Sequence, residues 1–188
     1  MRTTLKTTLI LALLAAFGLC SALAHAGGTT AGTVYLEPKV GMYANSSKNI
    51  SSMFSYGAEA GYFFVDGFAL GLEGLGYSVT QKRYPTTAVN TYENVGAFSP
   101  IAWARYHFIS DEKVSVFAGL GLGGFFSGVN VPRNGFTSNM TEAAEVGFNV
   151  YLVNALSMQL AGRYQHIGEF SDKGSDNWGG NLALKYGF

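Results

Sequence analysis

Histidines are the residues of this chain best suited to proton transfer or metal ligation, and there are three of them, His25, His107 and His166. His25 falls in a segment that reads as a leader, so two remain in the exported chain. A metal would need them close together with further ligands. Strand parity, set out below, puts His107 and His166 on opposite faces, and the single cysteine, Cys20, lies within the leader. No metal and no cofactor is expected. The run Gly119-Leu-Gly-Leu-Gly-Gly124 fits the dinucleotide pattern G-x-G-x-x-G. It sits inside a strand with no helix after it, so the match carries no function. His107 reads as an inward hydrogen-bonding residue. His166 reads as outward, where it would meet a lipid headgroup or ester, or serve simply as a polar residue at an interface.

The elements that position these residues begin after residue 26. Arg2 and Lys6 precede an apolar run from Leu9 to Leu19, and Ala24-His25-Ala26 offers a small-x-small cleavage site, so 1–26 reads as a signal peptide. That run is too short for a spanning helix. Leu19 before Cys20 does not suit lipidation. The exported chain, 27–188, then has no cysteine, which removes disulfides and catalytic thiols together. Taking Arg2 and Lys6 from twelve basic residues leaves a small excess of the twelve acidic ones, which gives nucleic-acid binding no support. Twenty-five glycines and 14% aromatics suit many strands in one domain.

The last stretch shows the pattern most clearly. Leu182, Leu184, Tyr186 and Phe188 share one face of a strand; Asn181, Ala183, Lys185 and Gly187 share the other. Seven further stretches alternate in the same way. The first, Thr33 to Tyr43, sets Val34, Leu36, Val40 and Met42 against Tyr35, Glu37 and Lys39. In the third, Phe68 to Thr80, the apolar parity slips at Leu75, Tyr77 and Val79, so a bulge is expected near Gly74–Gly76. Tight turns at Val65–Gly67, Ser110–Lys113 and Val153–Ala155 alternate with longer loops, including Gln81–Tyr92, Ser127–Thr137 and Gly168–Trp178. Eight antiparallel strands with short turns at one end and long loops at the other predict a closed transmembrane β-barrel of outer-membrane type.

Two barrels fit eight strands, and they are inverses. A water-soluble one buries its apolar face; a membrane one turns it outward. Glu37, Lys39, Glu59, Glu73, Arg105, Glu145, Arg163 and Lys185 lie within strands on the polar face, four acids against four bases. Such a set can neutralise itself inside a narrow lumen, whereas the apolar face is almost free of charge. Its aromatics gather by the strand ends, Phe64, Phe68, Tyr106, Phe108 and Phe188 near the turns and Tyr56, Tyr77, Phe98, Phe126 and Tyr164 near the loops, as interfacial girdles would. Eight strands leave an interior that side chains fill, so no conducting pore is expected. Asn45, Asn49 and Asn139 open glycosylation-like triplets that such a protein would rarely use.

His166 stands eleven residues beyond Ala155. At ~3.3 Å per residue and a tilt of ~40° it lies roughly 28 Å up the wall, at the outer-leaflet boundary. Gly162-Arg-Tyr-Gln-His-Ile-Gly168, then Ser171, Asn177-Trp-Gly179 and the closing strand resemble the C-terminal end of the PagL-like lipid A deacylases, the acyloxyacyl hydrolase family. Gly57-Ala-Glu-Ala-Gly-Tyr-Phe-Phe-Val-Asp66 and Val131-Pro132 before Gly135 are similar to that family's barrel as well. The resemblance implies a lipid-facing histidine that activates a serine for attack on an acyl ester, with an acid in support. The serine is expected two residues after the histidine, where this chain has Gly168, and the acid fourteen after it, where it has Gly180. His166 with Ser171 as a displaced nucleophile and Glu169 nearby are the catalytic candidates; Asp176 is expected in the same loop. The expectation is a non-enzymatic outer-membrane surface barrel serving envelope structure, adhesion or lipid A contact. A lipid A deacylase-like ester hydrolase is the alternative. Expected partners are outer-membrane lipid, lipid A included, and an extracellular ligand met by the long loops, reached after export through the periplasm.

Overall fold

The computed structural model describes residues 28–45, 49–83, 91–153, 155–168 and 174–188. The leader and its cleavage point lie outside them, as do Glu169 and Ser171. Eight strands follow in chain order: β1 (Val34–Asn45), β2 (Ile50–Val65), β3 (Phe68–Lys82), β4 (Tyr92–Ser110), β5 (Val114–Val131), β6 (Phe136–Val153), β7 (Leu156–Ile167) and β8 (Ser175–Gly187). Each pairs antiparallel with the next, and β1 pairs with β8, so the sheet closes on itself. Closure leaves no unpaired sheet edge.

Alternation of side chains decides what fills the interior. Tyr35, Glu37, Lys39 and Tyr43 point inward from β1, while Val34, Val40 and Met42 are exposed on the outside. The same division holds around the wall: Leu72, Leu120, Leu122, Val146, Leu160, Leu182 and Leu184 are exposed, and Glu59, Arg105, Glu145 and Arg163 are buried. The apolar faces of the strands therefore point away from the barrel axis. Asp66-Gly67 turns β2 into β3, with Gly67 at a φ of 77° that an L side chain rarely adopts.

Two expectations are corrected. No bulge interrupts β3 near Gly74–Gly76; its register with β2 and β4 is unbroken from Ala69 to Thr80. Leu75, Tyr77 and Val79 therefore keep the parity of Glu73 and lie inside, and Tyr77 belongs to no outer girdle. They join Tyr43, Ile50, Met53, Val95, Phe125, Val131 and Ile167 in an apolar cluster within the long-connection half of the lumen. The apparent slip arose because the inner face itself changes from charged to apolar along the strand. Likewise, Ser127–Thr137 is no open loop. β5 and β6 continue to Val131 and Phe136, and residues 127–130 oppose Thr137 alone in a large irregularity. Extra residues on one strand bend it, and here the bend brings Val131 fully inside against the apolar cluster.

Glycines on β5 make the charged half possible. A Cβ at Gly121 would lie 2.8 Å from Ile101 Cγ2 and 2.9 Å from the Trp103 ring; at Gly119 it would lie 2.9 Å from Arg105 Cγ. Gly121→Val should therefore lower the urea midpoint of the refolded barrel by the equivalent of about 1–3 kcal/mol. Gly96→Val, where a Cβ meets nothing within 4 Å, should leave it nearly unchanged.

Candidate functional site

Two groups of side chains merit attention, one in the lumen and one on the outer wall. In the lumen, Lys39 Nζ lies 2.8 Å from Glu37 Oε1, 2.8 Å from Glu59 Oε2 and 2.9 Å from Glu73 Oε2. Arg105 spans from Glu59 to Glu145. Arg163 pairs with Glu73 and Glu145, each at 2.8 Å. Traced in order, Lys39, Glu59, Arg105, Glu145, Arg163 and Glu73 form a ring of alternating sign, contributed by six strands. The Trp103 ring lies beside both guanidinium groups, 5.1 Å from Arg105 and 4.5 Å from Arg163. Buried charges hold only when each has its counter-charge and its hydrogen bonds, and the ring supplies both.

The eight charged residues picked out from the sequence all point inward, but they do not form one contact set. Glu37 hangs from the ring through Lys39 and accepts a 2.7 Å bond from Gln159 Nε2. Lys185 stands apart, its Nζ 4.1 Å from the Tyr35 ring centre and 4.7 Å from that of Phe63. His107 faces the lumen at the short-turn end, Nδ1 3.1 Å from Ser115 Oγ. Ser115 Oγ also accepts from Asn149 and Tyr151.

On the outer wall, β7 turns His166 outward and β8 places Asp176 opposite it in register. The β8 strand begins at Ser175, so Asp176 is in a strand and not, as expected, in a loop. His166 Nδ1 lies 2.8 Å from Asp176 Oδ1, and Tyr164 donates a 2.6 Å hydrogen bond to the same oxygen. The His166 side chain is 17% exposed and that of Asp176 48%. A step lower, Tyr164 packs against Trp178, ring centres 4.6 Å apart, and Trp178 is 61% exposed. Glu142 lies beside His166 on β6. Gly168, the position of the expected serine, has no side chain, and Gly180, that of the expected acid, faces outward two strand pairs below Asp176. An imidazole oriented by a carboxylate can act as a base. Among the described residues no histidine, cysteine and carboxylate group is arranged to hold a metal.

Sequence reasoning passed over Asp176 as the partner of His166. The signal was present: counting back by twos from Phe188 reaches it on the outward face. Tyr164 was placed on that face, but its hydrogen bond could not be read.

The fold and these surfaces define a class, the eight-stranded antiparallel barrel of outer-membrane type. Solved structures share it: Neisserial surface protein A (TM-score 0.65, 18% identity, 84% of this chain and 99% of that one), OprG of Pseudomonas aeruginosa (0.60, 15%, 86% and 98%), and the N-terminal barrel domain of Pseudomonas aeruginosa OprF (0.57, 19%, 84% and 98%). At these identities the likeness is one of fold. No protein-family model and no curated protein matches the chain.

The ring yields a direct test. Glu145→Ala strips one carboxylate from both Arg105 and Arg163, and should cost about 3–5 kcal/mol in urea unfolding of the refolded barrel. An unchanged midpoint would mean that the ring contributes little.

Proposed function

We propose that the protein is a non-enzymatic surface barrel of the bacterial outer membrane, acting through its lipid-facing wall and outer hairpins and not through a pore. The observation that carries this reading is the polarity of the wall: an apolar outside over an inside crossed by alternating ion pairs. Water on the outside would leave Leu72, Leu120 and Leu160 bare, a band that hydrocarbon suits. The ring and the apolar cluster above it fill the lumen at two levels, which supports a closed interior. The surfaces left to act are the wall near His166 and the connections beyond it. Lipid A of the outer leaflet is the partner that the wall suits, with an extracellular ligand a further one for the hairpins.

A second reading, an ester hydrolase acting on lipid A, is favoured by one feature, the Asp176 carboxylate that holds the His166 imidazole on the lipid face. It needs a nucleophile, and Gly168 cannot be one.

Trp103 and Trp178 are the only tryptophans, one in the lumen and one on the wall. In a Trp103→Phe variant reconstituted into vesicles, lipids brominated along their acyl chains should strongly quench the remaining fluorescence, and a water-soluble quencher should not. The reverse would end the membrane reading. Planar bilayers containing the wild-type protein should show no discrete conductance steps. Mass spectrometry of lipid A from cells with and without the protein should give the same acylation. Loss of an acyl chain that vanishes in His166→Ala would replace this reading with the hydrolase.

A further inference from the structure

Before it enters β1, the chain crosses the short-turn mouth of the barrel. Gly32 and Thr33 are anchored to β2: Gly32 N donates to the Phe63 carbonyl at 2.8 Å, and Phe63 N to that of Thr33 at 2.9 Å. Residues 28–31 run on over the turns. Gly67 N donates to the Thr29 carbonyl at 2.9 Å, and Ala31 N donates to Asp66 Oδ1 at 2.8 Å. The Thr29 and Ser110 hydroxyls lie 2.5 Å apart. Gly28 rests against the Tyr151 ring, with no space for a Cβ. The segment therefore touches the β2–β3 turn, the end of β4 and the end of β6, which carries it across the mouth. Gly32 is its bend, at a φ of 89°, and a Cβ there would meet nothing within 4 Å. Glycine at this position serves the backbone alone.

Beneath that segment the lumen is polar and under-bonded. Eight buried side-chain atoms have no hydrogen-bond partner among the described residues. Four of them lie between the mouth and the ion ring: His107 Nε2, Asn149 Oδ1, Gln159 Oε1 and Glu37 Oε2. Each of these side chains has committed its other polar atom. His107 Nδ1 and Asn149 Nδ2 meet Ser115 Oγ at 3.1 and 3.0 Å, and Gln159 Nε2 donates to Glu37 Oε1 at 2.7 Å. Asn149 and Gln159 are partners across β6 and β7, so the four make one track. Lys185 faces the same space from the Tyr35 and Phe63 rings. The other four atoms, on Ser55, Gln81, Trp103 and Asn181, stand toward the long connections and share no hydrogen bond with one another. At the mouth, Thr29 and Thr30 line two recesses of about 670 and 390 Å³, and His107 lines the smaller. The track thus starts under the segment that crosses the mouth.

Two opposing costs meet here. A buried polar atom without a partner carries the full loss of its hydration, and four such atoms gain water when the segment lifts. Against that, residues 28–31 are held to the turns by three hydrogen bonds, one of them on the exposed Asp66, and by the Gly28–Tyr151 contact. We propose that residues 28–31 are a lid on the short-turn mouth, which swings about Gly32 and admits water to His107, Asn149, Gln159 and Lys185. Water goes no farther than the ring, where each carboxylate and each cation is already paired. The lid opens a blind vestibule and not a pore. Cleavage after Ala26, the expected point, leaves only Gly27 beyond the lid, so no further chain tethers its tip. The lid faces the lumen and is independent of what the outer wall touches.

The test uses the full exported chain refolded in detergent micelles, with diethyl pyrocarbonate as the histidine probe and peptide mass mapping as the readout. His107 should be modified in folded wild type, but far more slowly than in the urea-unfolded chain, because only the open lid bares Nε2. Gly32→Val strains the bend without touching another side chain, and should speed His107 modification about tenfold. Thr29→Val removes the hydroxyl latch to Ser110 and should speed it about fivefold. His166, on the outer wall, should react at one rate in all three, and the heat-sensitive gel migration of a folded barrel should stay the same. Equal His107 rates in wild type and both variants would overturn the lid. So would no modification in folded wild type, or a rate there as fast as in the unfolded chain. Glu145→Ala weakens the ring and not the lid; a larger rise there than in the lid variants would mean that His107 is reached by global unfolding, and would overturn the proposal as well.

Discussion

An eight-stranded barrel is narrow, and everything its strands turn inward must fit together there in space and in charge. Lys39, Glu59, Arg105, Glu145, Arg163 and Glu73 meet that constraint as a ring in which every carboxylate touches two cations and every cation two carboxylates. Because they come from six strands, the ring also fixes register. A slip of one residue would turn a charge to the outside and strand its partners within. Glycine placement on β5 follows from the same demand, since Trp103 and Arg105 need the space opposite them.

Above the ring the inner face changes character. Leu75, Tyr77, Val79, Phe125 and Val131 pack as an ordinary core would, and the bent β5–β6 hairpin brings Val131 into it. Hydrogen bonds tie the hairpin down: Asn139 Nδ2 donates to the carbonyls of Val131 and Phe136, and Gln81 Nε2 donates to that of Asn130. The interior is thus held by charge at one level and by apolar packing at another. A route for solute would have to displace both.

Strand number, turn order and the inversion of faces were legible in the sequence, because alternation is a local property and each strand shows it within a few residues. The inner apolar cluster was not legible for the same reason. Leu75, Tyr77 and Val79 look like an outward row to any reading that equates apolar with lipid-facing, and a bulge becomes the cheapest repair. Only pairing with β2 and β4 settles their parity. The eight charges could be gathered by face but not by partner. That Lys185 rests on Tyr35 and Phe63 while Lys39 collects three carboxylates depends on side-chain reach across the lumen, which spacing along one chain does not contain.

His166 shows how far a resemblance carries when its key positions are empty. The serine and acid that the resemblance implies are not present, since this chain has Gly168 and Gly180 at those positions. Judged by geometry, the histidine still has a carboxylate, supplied by Asp176 from the neighbouring strand and not from the expected position. Gly180, standing where an acid was sought, instead opens the wall beside Gly162. Gly168 and Gly180 thus bring no side chain to the imidazole, while the carboxylate that does meet it comes from the strand paired with β7.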